Sequence, residues 1–231
     1  ESIQQDLFLS IGKQLQKQGY HTAAYHNHLH DYYARHLTHT SYGYDTFMGM
    51  YSGMEEGVKY QWPESDLEMM EFTVDQYIDK QPFCIYYMTV SGHCGYNFQG
   101  NAMSKKNREL VEHLDCSETL KAYYACQLEL EKAVTLLLER LEEAGVLNNT
   151  VIVLTADHYP YGLTQEELEE LAGQKIETNF QLYRNSLMIY KAGMTPETID
   201  APCCTMDILP TLLNLFGLEF DSRLYMGRDT A

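Results

Sequence analysis

The stretch TVIVLTADH, residues 150–158, decides the fold class, because strand-forming residues lead directly into a carboxylate and an imidazole. In an open α/β sheet, ligands and metals bind at the carboxyl ends of the strands. An oxygen and a nitrogen ligand side by side suit a divalent metal such as zinc or manganese. Asp157 and His158 are therefore candidate metal ligands. The alternative is that Asp157 caps the following turn and His158 is an ordinary polar loop residue.

Helix-type and strand-type patterns alternate along the rest of the chain. The predicted helices span residues 2–18, 65–80, 117–144, 164–172 and 206–216. The predicted strands span residues 20–25, 83–90, 150–154 and 185–190. This alternation predicts an α/β fold with a mostly parallel sheet flanked by helices. Residues 94–116 are irregular and polar, and we expect a surface excursion there.

Composition sets limits on the kind of protein. A hydrophobic content of 45% with 21% charged residues is typical of a globular chain. At 231 residues the chain fits one large or two small domains, and it has no internal repeat or low-complexity linker. The net charge of −17 argues against a nucleic-acid partner, since a phosphate-binding surface would be basic. Acidic residues concentrate in 64–71 and 166–170, and both stretches are interpreted as solvated helix faces.

The first residues, the apolar runs and the cysteines bear on the cellular location of the protein and on its thiols. Residues 1–7 lack the basic start and apolar stretch of a signal peptide, and no apolar run is long enough to cross a bilayer. We therefore expect either a cytoplasmic protein or a processed piece of a longer one. The six cysteines form no CxxC pair, which argues against zinc-finger and thioredoxin sites and predicts free, mostly buried thiols.

Three polar clusters follow three predicted strands: the histidines His26, His28 and His30, then residues 91–93 (SGH), then Asp157 with His158. Because successive parallel strands end at one sheet edge, we expect these clusters to converge. At most two of the three alternating histidines are expected to serve one site.

Arg35 adds a possible anion-binding group. It follows Tyr32 and Tyr33, and its planar guanidinium suits a phosphate or sulfate group. The alternative is an ion pair with one of the many carboxylates.

Two hydrolase patterns fit the sequence poorly. His26-x-His28-x-His30-Asp31 has its last two residues in the wrong order for the HxHxDH motif of metallo-β-lactamase-type enzymes. Ser91 lacks the G-x-S-x-G elbow of a serine hydrolase.

Five segments together carry a family resemblance. They are GYHTAAYH (19–26), YGYDTF (42–47), MTVSGH (88–93), TADH (155–158) and DILPTLLNLFG (207–217). In this order they resemble the alkaline-phosphatase/sulfatase superfamily, most closely its lipoteichoic-acid-synthase type of phosphoglycerol transferase. The resemblance covers nearly the whole chain.

The resemblance implies roles for individual residues. Asp157 and His158 would be metal ligands, with manganese or magnesium usual and zinc possible. His26, Arg35 and His93 would hold a phosphoglycerol head group. Tyr33 stands where the family commonly has tryptophan, and His28 where an acidic residue is common. These two departures affect head-group specificity.

The resemblance also implies missing parts. Family members begin with a strand that carries a glutamate ligand and a helix that presents the threonine nucleophile, and neither is recognisable before His26. We therefore expect residues 1–231 to form a single, N-terminally incomplete sulfatase-like catalytic domain that lacks the first strand and nucleophile helix. Such a piece would bind metal weakly or not at all and would itself be inactive.

The intact parent would be a membrane-tethered extracellular enzyme that transfers phosphoglycerol from a membrane lipid to a polymer. Its partners would be an anionic lipid head group or a phosphoglycerol polymer. A sulfatase or phosphoethanolamine transferase of the same superfamily is the alternative, although many sulfatases have Asp-Asn where this chain has Asp157-His158. A second alternative is a non-catalytic binding module that retains the anion pocket.

Overall fold

The structure is a computed structural model that describes residues 5–230. Its strands are β1 (His21–Leu29), β2 (Thr46–Met50), β3 (Phe83–Met88), β4 (Val151–Thr155) and β5 (Leu187–Lys191). Its helices are α1 (Ile11–Lys17), α2 (Arg35–Ser41), α3 (Asp66–Thr73), α4 (Ala102–Lys106), α5 (Glu118–Glu143), α6 (Gln165–Ala172) and α7 (Thr205–Leu215). The alternation of strands and helices confirms the α/β fold class.

A parallel sheet with strand order β2-β1-β3 forms the centre of the molecule. Ala23 of β1 pairs with Thr46 of β2 on one side and with Ile85 of β3 on the other. Residues 22–27 of β1 are all buried, as expected of a central parallel strand covered on both faces. The carboxyl ends of β1 and β3 therefore lie side by side.

The fourth and fifth strands form a separate ladder. β4 pairs with β5 in antiparallel register, with Val153 opposite Ile189. Within residues 5–230, neither strand is hydrogen-bonded to the parallel sheet. The expected mostly parallel sheet is thus three parallel strands plus an antiparallel pair, because a strand's direction depends on its partner and not on its own sequence.

The long helix α5 packs on α3, which in turn contacts β1 of the parallel sheet. Ser117 caps α5 by accepting a hydrogen bond from the backbone N–H of Leu120. Ala133, Leu137 and Leu141 lie in the main buried cluster, which also contains residues of β1 and β2. The predicted helix over 117–144 is confirmed.

Several element boundaries differ from the sequence predictions. Helix α1 begins at Ile11 and not at residue 2, although residues 1–4 lie outside the described part. Strand β1 continues to Leu29, so His26 and His28 lie on the strand and not after it. Strand β2 and helix α2 were not predicted. Within the expected surface excursion 94–116, α4 packs on α5 and buries Met103.

The acidic stretch 64–71 is not simply a solvated helix face. Glu64, Ser65 and Asp66 are each 0% exposed. The sequence interpretation was wrong here because charge density along a chain does not reveal which carboxylates have buried partners.

Two further expectations concern the state of the cysteines and the length of the apolar segments. All six cysteines are free, but only Cys126 is buried, while Cys203 and Cys204 are exposed. The thiols are therefore free, as predicted, but not mostly buried. Among the described residues, no helix has the length and apolar character needed to span a bilayer.

Candidate functional site

The predicted polar clusters come together at the carboxyl ends of β1, β3 and β4. The His26 ring lies 6.0 Å from the His28 ring, and the His93 ring lies 5.7 Å from that of His158. Trp62 connects the two pairs, since its ring is 5.3 Å from His28 and 5.8 Å from His93. We call these five residues the histidine cluster. The expected convergence is therefore observed, although β4 belongs to a different sheet.

His26 is held as a neutral imidazole. It is 3% exposed, and its Nδ1–H donates to the Met88 carbonyl oxygen at 2.9 Å. Its Nε2 accepts a hydrogen bond from Nη1 of Arg35 at 3.2 Å. Burial lowers the pKa of His26 to about 4, and the nearby Arg35 cation acts in the same direction. His26 therefore serves as a fixed acceptor that orients the guanidinium.

Arg35 is also held by two aromatic rings. Its guanidinium carbon lies 5.3 Å from the ring centroids of both Tyr32 and Tyr33. No ion pair joins Arg35 to a carboxylate within residues 5–230, so the carboxylate-pair alternative is not supported. An arginine fixed without a carboxylate partner can use its remaining donors for an external anion.

The backbone before α2 is strained where it presents these groups. Tyr33 and Ala34 both adopt left-handed conformations, with φ of 52° and 54°. Non-glycine residues seldom occupy this region, and such strain concentrates at functional sites. The turn leaves the Tyr33 side chain 76% exposed beside Arg35. Tyr33 thus forms an exposed aromatic wall at the edge of the site.

His28 has a buried carboxylate partner that the sequence did not suggest. Its Nδ1 lies 3.0 Å from Oε1 of Glu64, which is 0% exposed. Burial raises the pKa of Glu64, while the hydrogen bond from His28 lowers it. The two residues form a hydrogen-bonded pair at the floor of the histidine cluster.

His30 does not join this cluster. Its Nδ1 hydrogen-bonds to the Met50 carbonyl oxygen at 2.9 Å, and its ring lies 5.3 Å from that of His36. Residues two apart share one face of a regular strand, but the pairing of β1 with β2 is irregular between Tyr25 and Leu29. The expectation of at most two histidines at the site is met by His26 and His28.

His93 faces the loop that follows β4. Its Nε2 lies 3.3 Å from the Tyr161 hydroxyl, and its ring is packed at 5.7 Å against His158. Burial lowers the pKa of His93, and the neighbouring His158 lowers it further. The strand β3 and the loop after β4 are thereby linked by side chains and not by a backbone ladder.

Asp157 and His158 present ligand atoms suited to a divalent metal. The Nδ1–H of His158 donates to the Tyr159 carbonyl oxygen at 2.7 Å, which leaves the lone pair on Nε2. That Nε2 lies 3.5 Å from Oδ1 of Asp157, whose side chain is 83% exposed. Within residues 5–230, no group of three or more His, Cys, Asp or Glu side chains is arranged to hold a metal. The pair therefore offers two possible ligand groups, fewer than a complete coordination sphere requires.

Ser91 is a structural residue. It is 0% exposed, and its hydroxyl donates to the buried carboxylate of Asp66. Asp66 also accepts hydrogen bonds from Asn27 at 2.7 Å and from the Val90 backbone N–H at 2.9 Å. Burial raises the pKa of Asp66. This network joins β1, the segment after β3 and α3 beneath the site. The structural role of Ser91 agrees with the poor match to a serine hydrolase.

An open cavity of ≈ 670 Å³ adjoins the cluster and lies between β3, β4 and α7. Its wall includes Tyr33, Arg35, Tyr86, Met88, Thr155 and Leu209. The cavity includes Arg35 but neither His28 nor His93, so it extends the site toward the gap between the two sheets.

Comparison with known proteins identifies the family. The family model described as Sulfatase matches residues 3–218. The chain belongs to the sulfatase family. Two relatives from Bacillus subtilis (strain 168), "Lipoteichoic acid synthase-like YvgJ" and "Lipoteichoic acid synthase 1", are each 26% identical. The matches cover 96% and 93% of this chain but only 37% and 34% of the relatives.

Solved structures share the fold of this sulfatase-family chain. The lipoteichoic acid synthase LtaP from Listeria monocytogenes has a TM-score of 0.74 at 22% identity, over 95% of this chain and 55% of that one. The Streptococcus pyogenes phosphoglycerol transferase GacH, in complex with sn-glycerol-1-phosphate, has a TM-score of 0.61 at 16% identity, over 85% and 50%. The chain thus spans about a third of the curated relatives and about half of these structures.

Three residues of this sulfatase-family site were missed from the sequence. Trp62 is the only tryptophan of the chain, which was a usable signal. Tyr161 follows His158 by three residues and could have been included with it. Glu64 had no such signal, because it was one of many acidic residues in its stretch.

Proposed function

We propose that this chain is the head-group-binding part of a metal-dependent phosphoglycerol transferase. Its substrate would be an anionic lipid head group or a phosphoglycerol polymer. The observation that carries the proposal is Arg35, which is oriented by neutral His26 and flanked by two tyrosine rings. The names of the curated relatives, which are lipoteichoic acid synthases, support the transferase class.

Different residues would contact different parts of a phosphoglycerol group. Arg35 would donate to the phosphate oxygens, since a guanidinium matches phosphate geometry. The neutral His26 keeps Arg35 in place without adding a titrating charge near pH 7. Tyr33 and Trp62 would cover the glycerol carbons and exclude water from one side of the site.

Asp157 and His158 would supply two ligands for manganese or magnesium, with zinc as the alternative. A divalent metal there would neutralise phosphoryl oxygens and lower the pKa of an attacking hydroxyl. The exposed Asp157 carboxylate and the free Nε2 lone pair of His158 support this assignment.

We further propose that the chain is a piece of a longer catalytic domain. The incomplete metal ligand set in residues 5–230 and the short span relative to the curated relatives support this view. The parent would work at the extracellular face of the cell membrane, tethered there by other segments. The piece alone would bind its head group without completing the transfer.

Two other functions remain candidates. A sulfatase or phosphoethanolamine transferase would use the same anion pocket, but the relatives named above favour phosphoglycerol. A non-catalytic binding module is favoured by the same incomplete ligand set. Metal binding is expected of the transferase piece and not of the binding module.

Calorimetry with the 231-residue chain tests the proposal in two titrations. We expect sn-glycerol 1-phosphate to bind, and Arg35→Ala to weaken this binding at least about tenfold, since each charge-assisted hydrogen bond contributes about 1.5–3 kcal/mol. Arg140→Ala, which removes a surface arginine on α5, is the matched control. Equal affinity in Arg35→Ala and Arg140→Ala would contradict the assigned anion site.

The second titration uses manganese and Asp157→Ala. We expect weak binding to the unmodified chain and a clear loss of heat in the variant, because a ligand carboxylate is removed. Asp115→Ala, at an exposed position far along the sequence, is the control. Identical heats for the unmodified chain and Asp157→Ala would refute the metal assignment and favour the binding-module function.

A further inference from the structure

The His28–Glu64 pair is a built feature of the site that the proposed phosphate contact does not use. Glu64 lies in the segment between β2 and α3, and its side chain is 0% exposed. Its Oε1 lies 3.0 Å from Nδ1 of His28, while its Oε2 has no hydrogen-bond partner among the described residues. Placing a carboxylate in the interior costs free energy, so a buried carboxylate directed at a site histidine requires an explanation.

The carboxylate determines which nitrogen of His28 carries the proton. An ionised carboxylate only accepts hydrogen bonds, so with Glu64 ionised Nδ1 of His28 is the donor in this contact. In a neutral imidazole with Nδ1–H, the lone pair is on Nε2. His28 therefore has a hydrogen-bond acceptor available for a ligand.

The surroundings place this acceptor beside the anion site. The His28 ring lies 6.0 Å from His26, which orients Arg35, and 5.7 Å from Tyr32, which stacks on Arg35. Trp62 packs on His28 at 5.3 Å and continues to His93. A head group whose phosphate contacts Arg35 would have its neighbouring atoms next to His28.

We propose that Glu64 is a positioning residue that fixes His28 as the Nδ1–H tautomer, so that Nε2 accepts a hydrogen bond from a hydroxyl of the bound head group. This inference rests on the proposed function, since it concerns the same pocket. It adds a contact to the free hydroxyl of a phosphate ester such as glycerol phosphate. The pair distinguishes such an ester from bare phosphate, because phosphate dianion offers few donors to an acceptor nitrogen.

The tautomer can be measured without any ligand. Nitrogen-15 chemical shifts of the histidine side chains at pH 7.5 report which ring nitrogen is protonated. We expect Nδ1–H and an unprotonated Nε2 for His28, with the same signature in Glu64→Gln, because glutamine retains an acceptor oxygen. Glu64→Leu removes the acceptor and should change the His28 signature. Assignment is made with His28→Asn, whose spectrum lacks that ring.

Affinity gives the functional readout for the same variants. We expect Glu64→Leu to weaken sn-glycerol 1-phosphate binding about tenfold and to leave inorganic phosphate binding within about twofold. Glu64→Gln should stay within about threefold of the unmodified chain for both probes. Glu71→Leu, at an exposed position of α3, is the matched control for the added leucine.

The outcomes separate this inference from the function on which it rests. If the unmodified chain binds neither probe, the proposed function fails, and so does the specificity role of His28. If it binds glycerol phosphate and Glu64→Leu binds it equally well, Glu64 has no positioning role. An Nε2–H tautomer or a doubly protonated His28 in the unmodified chain also overturns the inference. If Glu64→Leu does not fold, the tautomer of the unmodified chain and the affinity of Glu64→Gln decide the question.

Discussion

His26 combines a structural and a functional role in one side chain. Both of its ring nitrogens are engaged, with Met88 on β3 and with Arg35 at the start of α2. Protonation of Nε2 would break the contact with Arg35 and place two cations side by side. The low pKa of His26 is therefore a consequence of how the site holds its arginine.

This low pKa predicts how stability changes with pH. Burial lowers the pKa of His26 from 6.5 to about 4, so the unfolded chain binds more protons between these values. Stability should then fall as the pH decreases from about 6.5 to 4, by up to about 3 kcal/mol from this group. We expect His26→Gln, which does not titrate there, to lose less stability between pH 7 and pH 4.5 in urea unfolding experiments.

The control for this experiment is His113→Gln, at an exposed position. Asp66 contributes with the opposite sign, because its raised pKa makes the folded state bind more protons above the usual value of 3.8. Asp66 is present in all three proteins, so the difference between them isolates His26. An equal loss of stability in His26→Gln and the unmodified chain would contradict the assigned protonation state.

At the scale of elements, helix α5 carries much of the packing that supports the site. Leu141 is 1% exposed and lies in the main core with Ala133 and with Tyr25 of β1. A displaced α5 would disturb β1 and the histidines at its end, so stability and site geometry are coupled through this helix.

Shortening a buried side chain of α5 should therefore reduce the stability of the protein. We expect Leu141→Ala to reduce the free energy of unfolding by about 2–5 kcal/mol, from lost apolar burial and the cavity that remains. Urea denaturation with Glu139→Ala, an exposed substitution on the same helix, provides the comparison. A loss below about 1 kcal/mol would mean that α5 does not form part of a tightly packed core.

The elements also show what could be predicted from sequence alone. The α5 helix was predicted almost to the residue, because its apolar periodicity extends over seven turns with a serine cap and a glycine stop. Strand β2 was missed, since Thr46–Met50 is short and interrupted by Gly49. Gly49 is required there because a Cβ would lie 2.7 Å from Cα of His30. That close approach is a tertiary contact without a signal in the local sequence.

Contacts between distant parts of the chain also limited what could be predicted about the site. His26, His93 and Asp157 could be proposed because each follows or ends an apolar strand, where ligands gather in α/β folds. Glu64 could not, because nothing sets it apart from the other acidic residues of its stretch. The sequence marks Trp62 as the single tryptophan but does not show that it and Glu64 reach the site from the segment between β2 and α3. Their roles follow from which strands are neighbours, and strand order depends on long-range pairing.

At the scale of the whole molecule, the two sheets meet at a gap. β1 is hydrogen-bonded on both edges, whereas β3 within residues 5–230 pairs only with β1, and β4 only with β5. The cavity of ≈ 670 Å³ separates Tyr86 and Met88 of β3 from Thr155 of β4. The histidine cluster bridges this gap through side chains, so the two halves of the site are held less firmly than a continuous sheet would hold them.

The gap predicts a pattern of amide hydrogen exchange. Each strand directs alternate N–H groups to its two edges, so β3 and β4 should each show alternating slow and fast amides, while β1 should be protected throughout. Residue-resolved exchange followed by NMR measures this in the 231-residue chain. Uniform protection of β3 would contradict the gap unless a second copy of the chain pairs with that edge, as exposed strands can. Dilution distinguishes protection within one chain from protection by a second copy, because pairing between copies decreases as the protein concentration falls. Uniform protection of β3 that persists on dilution would rule out an open β3 edge.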